Sequence, residues 1–386
     1  MAALDLERRI AERAAALDRA DLRRVLLPPA GIDLSSNDYL GLARDPRLID
    51  SFVAAARRVG LGATGSRLLR GHRAVFTDLE RRFARFKGTP AALYFSSGYA
   101  ANLGVLATFP EADDVVFSDA LNHASLIDGV RLSKARRVVF PHGDAGALGR
   151  LIEEHECRGQ RFIVTESVFG MDGDTAPLAA YAALCRDSGA ALIVDEAHAV
   201  GVRGPDGSGL IAEAGVGDAV FLSIDAAGKA LGVAGAFVAG PEWAIEHLVQ
   251  KARTFVFSTA PPPALAAAID TALDIVEAEP ERRRRVAAHT GTLRRILADA
   301  GLARGTGTHI VPVVLGEAAR AMHVARELGA AGFDVRAIRP PTVPPGTSRL
   351  RVSINARLDE GTVERFADAL LAAVKGSPVR EARAEL

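Results

Sequence analysis

The stretch LIVDEAHAVG, residues 192–201, indicates the class of fold. Its apolar residues do not alternate with polar ones, which is typical of a strand covered on both faces of a sheet. The run ends at Asp195, and His198 follows in the next turn of chain. Ligands of parallel sheets bind beyond the carboxyl ends of the strands, so both side chains are candidates for chemistry. A helix-capping aspartate and a surface histidine are the simpler alternative for each residue alone.

Similar apolar runs lie on both sides of this stretch. The candidate strands are AALYF (91–95), DVVFS (114–118), RFIVTES (161–167), ALIVDE (191–196), AVFLSI (219–224) and GAFVAG (235–240). Helix-like segments such as TAPLAAYAALCRDSG (175–189) separate them. This alternation predicts an α/β fold with a mostly parallel central sheet flanked by helices.

The pattern changes after a long helical region at 262–300. Candidate strands there are HIVPVVLG (309–316), DVRAIRP (334–340) and RLRVSIN (349–355), with helices at 317–331 and 359–374. We therefore predict three parts, namely an N-terminal helix with the segment after it (1–44), a large α/β domain (45–285) and a smaller C-terminal α+β domain (286–386).

Composition excludes several classes of function. The 386 residues carry no formal net charge, so no basic field favours a nucleic-acid partner. The N-terminus does not resemble a signal peptide or a presequence, and no apolar run is long enough to cross a bilayer. Cys157 and Cys185 lack spaced partners, which argues against a disulfide framework or a metal site. These features predict a cytoplasmic protein without a membrane partner.

The run GLGATG, residues 60–65, matches the glycine pattern of dinucleotide-binding loops. That pattern has meaning only between a strand and a helix. Here a helix-like segment precedes it, so we expect a loop with close backbone approach rather than a dinucleotide site.

Lys229 lies within SIDAAGKALGVAG, residues 223–235, and is one of only five lysines in the chain. It follows the next strand after Asp195, which predicts that both reach the same edge of the sheet. A solvated lysine on a glycine-rich loop is the simpler interpretation. The alternative is an amine that must lose its proton, a role that desolvation allows for lysine and that arginine cannot fill.

Two further segments follow candidate strands. YFSSGYAAN (94–102) predicts a strand, then a helix that begins near Gly98, where free N–H groups can bind phosphate. A plain serine cap is the alternative. In DALNHASLIDG (119–129), His123 is either a structural histidine or part of the same site.

Pyridoxal phosphate (PLP) needs the four groups that these segments supply. A lysine amine bonds to its aldehyde, and a carboxylate keeps its pyridine nitrogen protonated so that the ring accepts electrons. A helix N-terminus binds its phosphate, and a neighbouring donor holds the ring oxygen. The sequence therefore predicts PLP as cofactor.

The chain resembles the α-oxoamine synthases, a family of fold-type I PLP-dependent transferases. The motifs that carry the resemblance occur in order along nearly the whole chain. They are DLSSNDYLGLARDP (33–46), GATGSRLLRGHRAVFTDLERRFARFKG (62–88), YFSSGYAANLG (94–104), NHASLIDG (122–129), TESVFGMDGDTAPL (165–178), VDEAHAVGVRGPDGSG (194–209), GKALGVAG (228–235) and IRPPTVPPGTSRLRVSINA (338–356).

The resemblance implies a role for each matching residue. Lys229 would hold the cofactor and move the substrate's α-proton, Asp195 would pair with the pyridine nitrogen, and His198 would contact the ring oxygen. His123 would stack on the ring and orient the substrate. The further implied contacts are Gly98 and Tyr99 to phosphate, Ser258 and Thr259 to the phosphate of a neighbouring subunit, Arg351 to the amino-acid carboxylate, and Arg23, Asn37 and Thr342 to substrate or product.

The resemblance also implies the reaction and the partners. The RPPTVP motif (339–344) is most similar to the member that condenses L-alanine with pimeloyl-CoA or a pimeloyl carrier protein in biotin biosynthesis. CO2 and CoA are released, and a homodimer with active sites at the subunit interface is implied. The alternatives are a sibling synthase that uses glycine or serine with another acyl-CoA, and a non-catalytic relative that binds the cofactor.

Two positions depart from the family pattern. The family usually has threonine where this chain has Ala226, and often serine where it has Gly170. Two hydroxyls near the cofactor are therefore missing, and we expect weaker retention of the cofactor unless Ser167 or a water compensates.

Overall fold

The computed structural model describes residues 2–303 and 307–377, in two compact units. The larger unit comprises residues 37–170 and 174–285. The smaller comprises residues 1–36, 171–173 and 286–386, of which 1, 304–306 and 378–386 lie outside the described residues. The predicted division into three parts, with boundaries at 44/45 and 285/286, stays a prediction.

The larger unit is built on a seven-stranded sheet, counted over the described residues. Its strands are β2 (Ala91–Phe95), β3 (Val115–Asp119), β4 (Arg136–Phe140), β5 (Arg161–Glu166), β6 (Ala191–Asp195), β7 (Val220–Ala226) and β8 (Ala236–Gly240). They lie in the order β2-β8-β7-β6-β5-β3-β4. Strands β4, β3, β5, β6 and β7 are parallel, whereas β8 is antiparallel to both β7 and β2.

This sheet is mostly parallel, as predicted, but one of its strands was not predicted from the sequence. Strand β2 has the predicted bounds, and the other predicted strands agree within two residues at each end. The missed strand, β4, is short and begins with two arginines at the sheet edge, where three of its five residues are exposed. Such an edge strand lacks the continuous apolar run that identifies buried strands.

Helices cover the sheet and connect its parallel strands. In the larger unit they are α2 (Pro46–Val59), α3 (Ala74–Lys87), α4 (Gly98–Leu106), α5 (Ala124–Leu132), α6 (Ala145–Glu154), α7 (Leu178–Ser188), α8 (Leu210–Glu213), α9 (Glu242–Lys251), α10 (Arg253–Val256) and α11 (Ala264–Ala278). The glycine run 60–65 follows α2 rather than a strand, as expected. The core contains buried aromatic rings, with Phe83 stacked on Phe237 at 3.8 Å between ring centroids.

The smaller unit contains a three-stranded sheet and a two-stranded pair among the described residues. Its strands are β1 (Ile32–Asp33), β9 (Ile310–Gly316), β10 (Phe333–Asp334), β11 (Ala337–Ile338) and β12 (Ser348–Ser353). Its helices are α1 (Ala2–Arg19), α13 (Ala318–Ala330) and α14 (Glu360–Gly376), and α12 (Pro280–Asp299) runs into it from the larger unit.

The strand predicted at 334–340 is wrong in extent. Only β11 joins the β11-β12-β9 sheet, while β10 pairs in parallel with β1. Pro340 and Pro341 follow one residue after β11 and have no N–H to donate to a ladder. Over the described part of the chain, no helix has the length and apolar character needed to cross a membrane.

Candidate active site

Asp195 ends strand β6 and is 6% exposed. Its Oδ2 accepts a hydrogen bond from Asn102 Nδ2 at 2.7 Å, and its Oδ1 accepts one from the Ala197 amide at 2.8 Å. Asn102 lies on helix α4, so the carboxylate is held between that helix and its own strand end. Both bonds fix the carboxylate in one orientation.

Lys229 and His198 are in contact, as the sequence pattern predicts for two residues at one sheet edge. Lys229 Nζ lies 2.8 Å from His198 Nε2, and the Tyr39 hydroxyl lies 2.7 Å from His198 Nδ1. Tyr39 is fully buried and donates to Asn37 Oδ1 at 2.9 Å. Asn37, His198 and Lys229 therefore form one connected chain of contacts, although Tyr39 itself was not predicted.

The Lys229 loop joins the antiparallel strands β7 and β8. The Ala227 amide donates to the Gly235 carbonyl at 2.9 Å and the Val233 amide donates to the Ala227 carbonyl at 3.0 Å. Gly235 has φ +89°, and a Cβ there would lie 2.4 Å from the Tyr94 ring. Only glycine fits this position, which helps to explain the small residues around the lysine.

Helix α4 begins beside the Lys229 loop. The Ser97 hydroxyl caps it by accepting from the Ala100 amide at 3.1 Å. A Cβ built on Gly98 would meet only the Ala226 Cβ, at 4.0 Å. The start of α4 therefore has room for an anion and faces the residue that departs from the family pattern. Tyr99, next in the helix, is exposed, and its hydroxyl donates to Asp128.

His123 precedes helix α5 and is exposed. Its Nδ1 lies 2.7 Å from Ser125 Oγ, and its ring meets that of Tyr99 edge-on at 6.5 Å between centroids. Partial desolvation by the surrounding protein and the charge of Lys229 lower the pKa of His123, against the opposing effect of Asp195. A neutral imidazole is suited to stacking on an aromatic ring.

Glu166 is a buried acid at this sheet edge that sequence reasoning missed. It pairs with Asp195 across strands β5 and β6, and its Oε1 accepts from the His123 amide at 2.7 Å. Burial and the neighbouring Asp195 charge raise the pKa of Glu166 to about 8, against the opposing charge of Lys229. Glu166 ends an apolar strand just as Asp195 does, so the strand-end pattern marks both residues, and the fold adds that this glutamate is buried.

The raised pKa of Glu166 predicts a pH effect on stability. The folded protein favours the protonated form of this carboxyl. Its contribution to the free energy of unfolding is therefore complete below the ordinary pKa of 4.5 and is lost as pH rises through about 8. Glu166→Gln keeps the neutral shape without titrating. We expect the melting temperature of the cofactor-free variant to gain several degrees relative to the parent between pH 5 and pH 8, measured calorimetrically.

The exposed Glu153 on helix α6 provides the control, because its carboxyl stays in solvent. Glu153→Gln should follow the parent at every pH. A difference in melting temperature between Glu166→Gln and the parent that stays constant from pH 5 to pH 8 would contradict the raised pKa of Glu166.

Gly170 has a physical explanation in the structure. A Cβ at this position would lie 2.5 Å from His198 Nε2, the atom that contacts Lys229. A serine there would require the imidazole to move. The glycine at this position, where the family often has serine, therefore leaves the room that the His198 imidazole occupies in this chain.

The candidate substrate residues Arg351, Arg23 and Thr342 lie in the smaller unit. Arg351 is 6% exposed on strand β12 and donates to Ser353 Oγ at 2.7 Å. Arg23 pairs with Asp18 at 2.7 Å, and Thr342 accepts from Arg24 Nη2 at 3.0 Å.

Arg339 lies close to this last pair. It donates to the backbone carbonyls of Asp21 and Arg23. Burial and, to a smaller extent, the charge of Arg24 lower the pKa of Arg339. The sequence patterns did not single out Arg24, whereas Arg339 begins the RPPTVP motif (339–344).

Ser258 and Thr259 lie on an apolar surface segment of the larger unit. Thr259 forms an isolated bridge with Ser66, and the Ala260 amide donates to the Gly65 carbonyl at 2.9 Å. Neighbouring apolar side chains face solvent, with Leu69 82% and Phe257 72% exposed.

The larger unit thus brings together an amine, two carboxyl groups, two imidazoles and a glycine-containing helix start. Lys229, Asp195, His198, His123 and Gly98 could hold the predicted cofactor. The Ser167 hydroxyl is buried without a hydrogen-bond partner in the described chain, so a further polar contact is available to a ligand or water. Within the described ranges, no group of three or more His, Cys, Asp or Glu side chains could hold a metal ion.

Comparison with known proteins identifies the family of this chain. A model of the family "Aminotransferase class I and II" matches residues 29–370. The 8-amino-7-oxononanoate synthase of Geobacter sulfurreducens is 48% identical over 340 residues, covering 87% of each chain. That of Anaeromyxobacter sp. (strain K) is 47% identical over 384 residues, covering 95% of this chain and 96% of its own.

Solved structures give the same result for the fold. A serine palmitoyltransferase variant from S. paucimobilis with bound PLP superposes with a TM-score of 0.89 at 30% identity, over 95% of this chain and 96% of that chain. The predicted fold-type I architecture and the resemblance that predicted it are confirmed. The chain belongs to the aminotransferase class I and II family.

Proposed function

We propose that this chain is a PLP-dependent acyltransferase that condenses L-alanine with pimeloyl-CoA or a pimeloyl carrier protein. The products are 8-amino-7-oxononanoate, CO2 and free CoA or free carrier protein. This reaction is a step of biotin biosynthesis. The observation that carries the proposal is the contact of the Lys229 amine with His198 at the sheet edge where Asp195 also ends its strand. Relatives 47–48% identical over most of the chain carry the name of this activity.

Bound PLP would supply an electron sink for the bonds broken at the α-carbon of the amino acid. Lys229 would hold the cofactor covalently and, once displaced by the amino acid, take the α-proton on Nζ and return it after CO2 is lost. His198 Nε2, 2.8 Å from that amine, is positioned to hold the ring oxygen. Tyr39 would keep the imidazole in place from its other nitrogen.

Asp195 would keep the pyridine nitrogen protonated. Its hydrogen bonds from Asn102 and Ala197 hold the carboxylate in position, so little reorganisation is needed when charge develops. His123, with its lowered pKa, would lie against the ring as a neutral imidazole and orient the substrate.

The amides at the start of helix α4, at Gly98 and Tyr99, would bind the phosphate. Ser258 and Thr259 would reach the phosphate of a second subunit, which makes the protein a homodimer. The exposed Leu69 and Phe257 beside that segment support an interface there, because large exposed apolar side chains that lie near one another indicate interaction sites. A cytoplasmic location likewise stays a prediction.

Arg351 would bind the amino-acid carboxylate, since its planar guanidinium donates two parallel hydrogen bonds to such a group. Asn37, held by Tyr39, would contact the substrate. Arg23 and Thr342 would meet the acyl chain or product. Arg24, bonded to Thr342 and close to Arg339, would add positive charge for the distal carboxylate of the pimeloyl group.

Removing the Arg24 charge should weaken acyl binding selectively. Losing one charge-assisted hydrogen bond costs about 1.5–3 kcal/mol, so Arg24→Gln should raise KM for pimeloyl-CoA about tenfold or more. KM for L-alanine should not change, and steady-state kinetics with each substrate varied in turn measures both.

Arg8→Gln is the matched control, since Arg8 lies exposed on helix α1 and pairs only with Asp5 among the described residues. It should leave both constants at the parent values. An unchanged KM for pimeloyl-CoA in Arg24→Gln would remove Arg24 from the acyl site.

Restoring the family's threonine should strengthen cofactor binding. Ala226 faces the start of helix α4, where the phosphate would bind, so a threonine hydroxyl would come within reach of it. One hydrogen bond to a charged group is worth about 1.5–3 kcal/mol. Titration of the apoenzyme with PLP should give a Kd about tenfold or more lower for Ala226→Thr.

Ala226→Val separates the hydroxyl from the added volume, because valine has the same shape as threonine without the donor. The variant should bind PLP no more tightly than the parent. Equal affinities for the threonine variant and the parent would show that another group, such as Ser167, already supplies the contact.

The second candidate function is a sibling synthase that uses glycine or serine. The observation in its favour is the TM-score of 0.89 to a serine palmitoyltransferase. A panel of alanine, glycine and serine, each with several acyl-CoAs, decides between the two. We expect alanine with pimeloyl-CoA to give the highest kcat/KM, and a preference for serine or glycine would overturn the proposal. Absorbance spectra with and without alanine test the remaining alternative, a non-catalytic relative that binds the cofactor. Such a protein would show no turnover with any pair of amino acid and acyl-CoA.

A further inference from the structure

A fully buried ion cluster lies directly behind the candidate active site. Lys87, the last residue of helix α3, places Nζ 2.8 Å from Glu196 Oε2 and 2.9 Å from Asp225 Oδ1. The Lys87 side chain is 3% exposed and both carboxylates are 0% exposed. Neither the sequence patterns nor the proposed chemistry uses these three residues.

The two carboxylates belong to the segments that carry the proposed catalytic groups. Glu196 directly follows Asp195, and Asp225 lies on strand β7, directly before Ala226 and the Lys229 loop. These segments extend neighbouring parallel strands, β6 and β7. The single ammonium of Lys87 therefore links the residue next to Asp195 with the strand end that leads to Lys229.

Each carboxylate is also fixed on its own side. Glu196 Oε1 accepts from the amides of Leu210 and Ile211 at 2.8 and 3.2 Å, and Asp225 Oδ2 accepts from Ser223 Oγ at 2.8 Å. Lys87 Nζ donates in addition to the Ser208 carbonyl. Movement of either strand end would break an ion pair in a region without solvent to replace it.

Stability alone is a weak reason for such a cluster. Burying charges is costly, and replacing a buried ion cluster by apolar residues is often neutral or stabilising. Burial and the charge of Glu196 raise the pKa of Asp225 to about 6 despite its contact with Lys87. What the cluster does supply is a fixed geometry between two strand ends, since ion pairs in a dry interior hold one arrangement.

We propose that Lys87, through Glu196 and Asp225, is a positioning residue that sets the separation between the Asp195 carboxylate and the Lys229 amine. The inference rests on the proposed function, in which these two groups act on opposite ends of one bound cofactor. Lys87 does not itself touch the substrate or the cofactor. Its effect on the reaction would come entirely through the two strand ends.

Asp225→Asn in the PLP-loaded enzyme tests this proposal. The variant leaves Lys87 paired with Glu196, so the remaining buried cluster is electrically balanced. We expect kcat to fall about 10- to 100-fold, because small misplacements of reacting groups have effects of this size. The pH midpoint of the cofactor absorbance band should shift by about 0.5–1 unit, since this midpoint depends on where the Lys229 amine lies relative to the Asp195 carboxylate. KM for L-alanine should stay unchanged.

Glu80→Gln is the matched control, because Glu80 belongs to another buried ion pair of the larger unit, with Arg67 at 3.0 Å. It should lower the melting temperature without moving the absorbance midpoint. Should Asp225→Asn not fold, Glu196→Gln also leaves one carboxylate for Lys87 and supplies the same readouts.

A folded variant with an unchanged absorbance midpoint and an unchanged kcat would overturn the proposal. Loss of folding in both variants would also overturn it, because the cluster would then be required only for folding. The absorbance titration does not depend on the acyl substrate. It therefore separates a failure of this inference from a failure of the proposed condensation, which would appear as absent product in the parent enzyme.

Discussion

Lys229→Ala is expected to lose the visible absorbance band of covalently bound cofactor and to lower kcat by about 10⁴-fold or more. The alanine removes both the amine that holds the cofactor and the base that moves the α-proton. Small residues surround Lys229 in its loop, and none of them can replace it. Absorbance spectroscopy of the purified, PLP-treated protein and steady-state kinetics measure the two effects separately.

Two variants complete this experiment. Lys229→Arg keeps the positive charge but not an amine that can lose its proton, so it should be as inactive as the alanine variant. Lys251→Ala removes an exposed lysine at the end of helix α9 and should behave as the parent does. Retention of the band and of turnover in Lys229→Ala would refute the assignment of this residue.

Asp195→Asn is expected to lower kcat by about 10²–10³-fold, the usual cost of removing one preorganised electrostatic contact. Asparagine keeps the shape and can still accept from the Ala197 amide, but it carries no charge to keep the pyridine nitrogen protonated. The effect should appear in kcat more than in KM for L-alanine, because the charge matters most when electrons move into the ring.

Asp195→Glu retains the charge at a displaced position and should be less impaired than the asparagine variant. Both variants should keep the melting temperature within a few degrees of the parent in the presence of PLP, which calorimetry can check. Full activity in Asp195→Asn would mean that another group supports the ring, and Glu166, the other carboxyl at this edge, would be the first to examine.

The central sheet could be predicted from sequence because its strands are buried on both faces. A run such as ALIVD at 191–195 has no polar alternation and ends where polar residues begin, so both its type and its end are visible. The edge strand Arg136–Phe140 lacks that signal, and so do the short pairs at 32–33 and 333–334. Their pairing depends on partners far away in the chain.

The same distinction applies to the site. Lys229, Asp195 and His198 stand out because each follows an apolar strand, and parallel strands bring such positions to one edge. Glu166 ends an apolar strand in the same way and was overlooked, whereas Tyr39 carries no such local signal. The contact of Tyr39 with His198, at 2.7 Å, joins residues far apart in sequence, and only the folded chain places them together.

The departures at Ala226 and Gly170 show a further limit of sequence reasoning. Both were expected to weaken cofactor binding through a missing hydroxyl. In the structure, Gly170 leaves room for the His198 imidazole, so a serine there would displace a group that contacts Lys229. Ala226 lies close to the start of helix α4, 4.0 Å from a Cβ built on Gly98, and its effect on affinity stays a prediction.

The most direct test of the account is identification of the product formed from L-alanine and pimeloyl-CoA by the PLP-loaded protein. We predict the mass of 8-amino-7-oxononanoate, formed together with CO2 and one free CoA per product molecule. No product from alanine, with turnover of glycine or serine and another acyl-CoA instead, would contradict it.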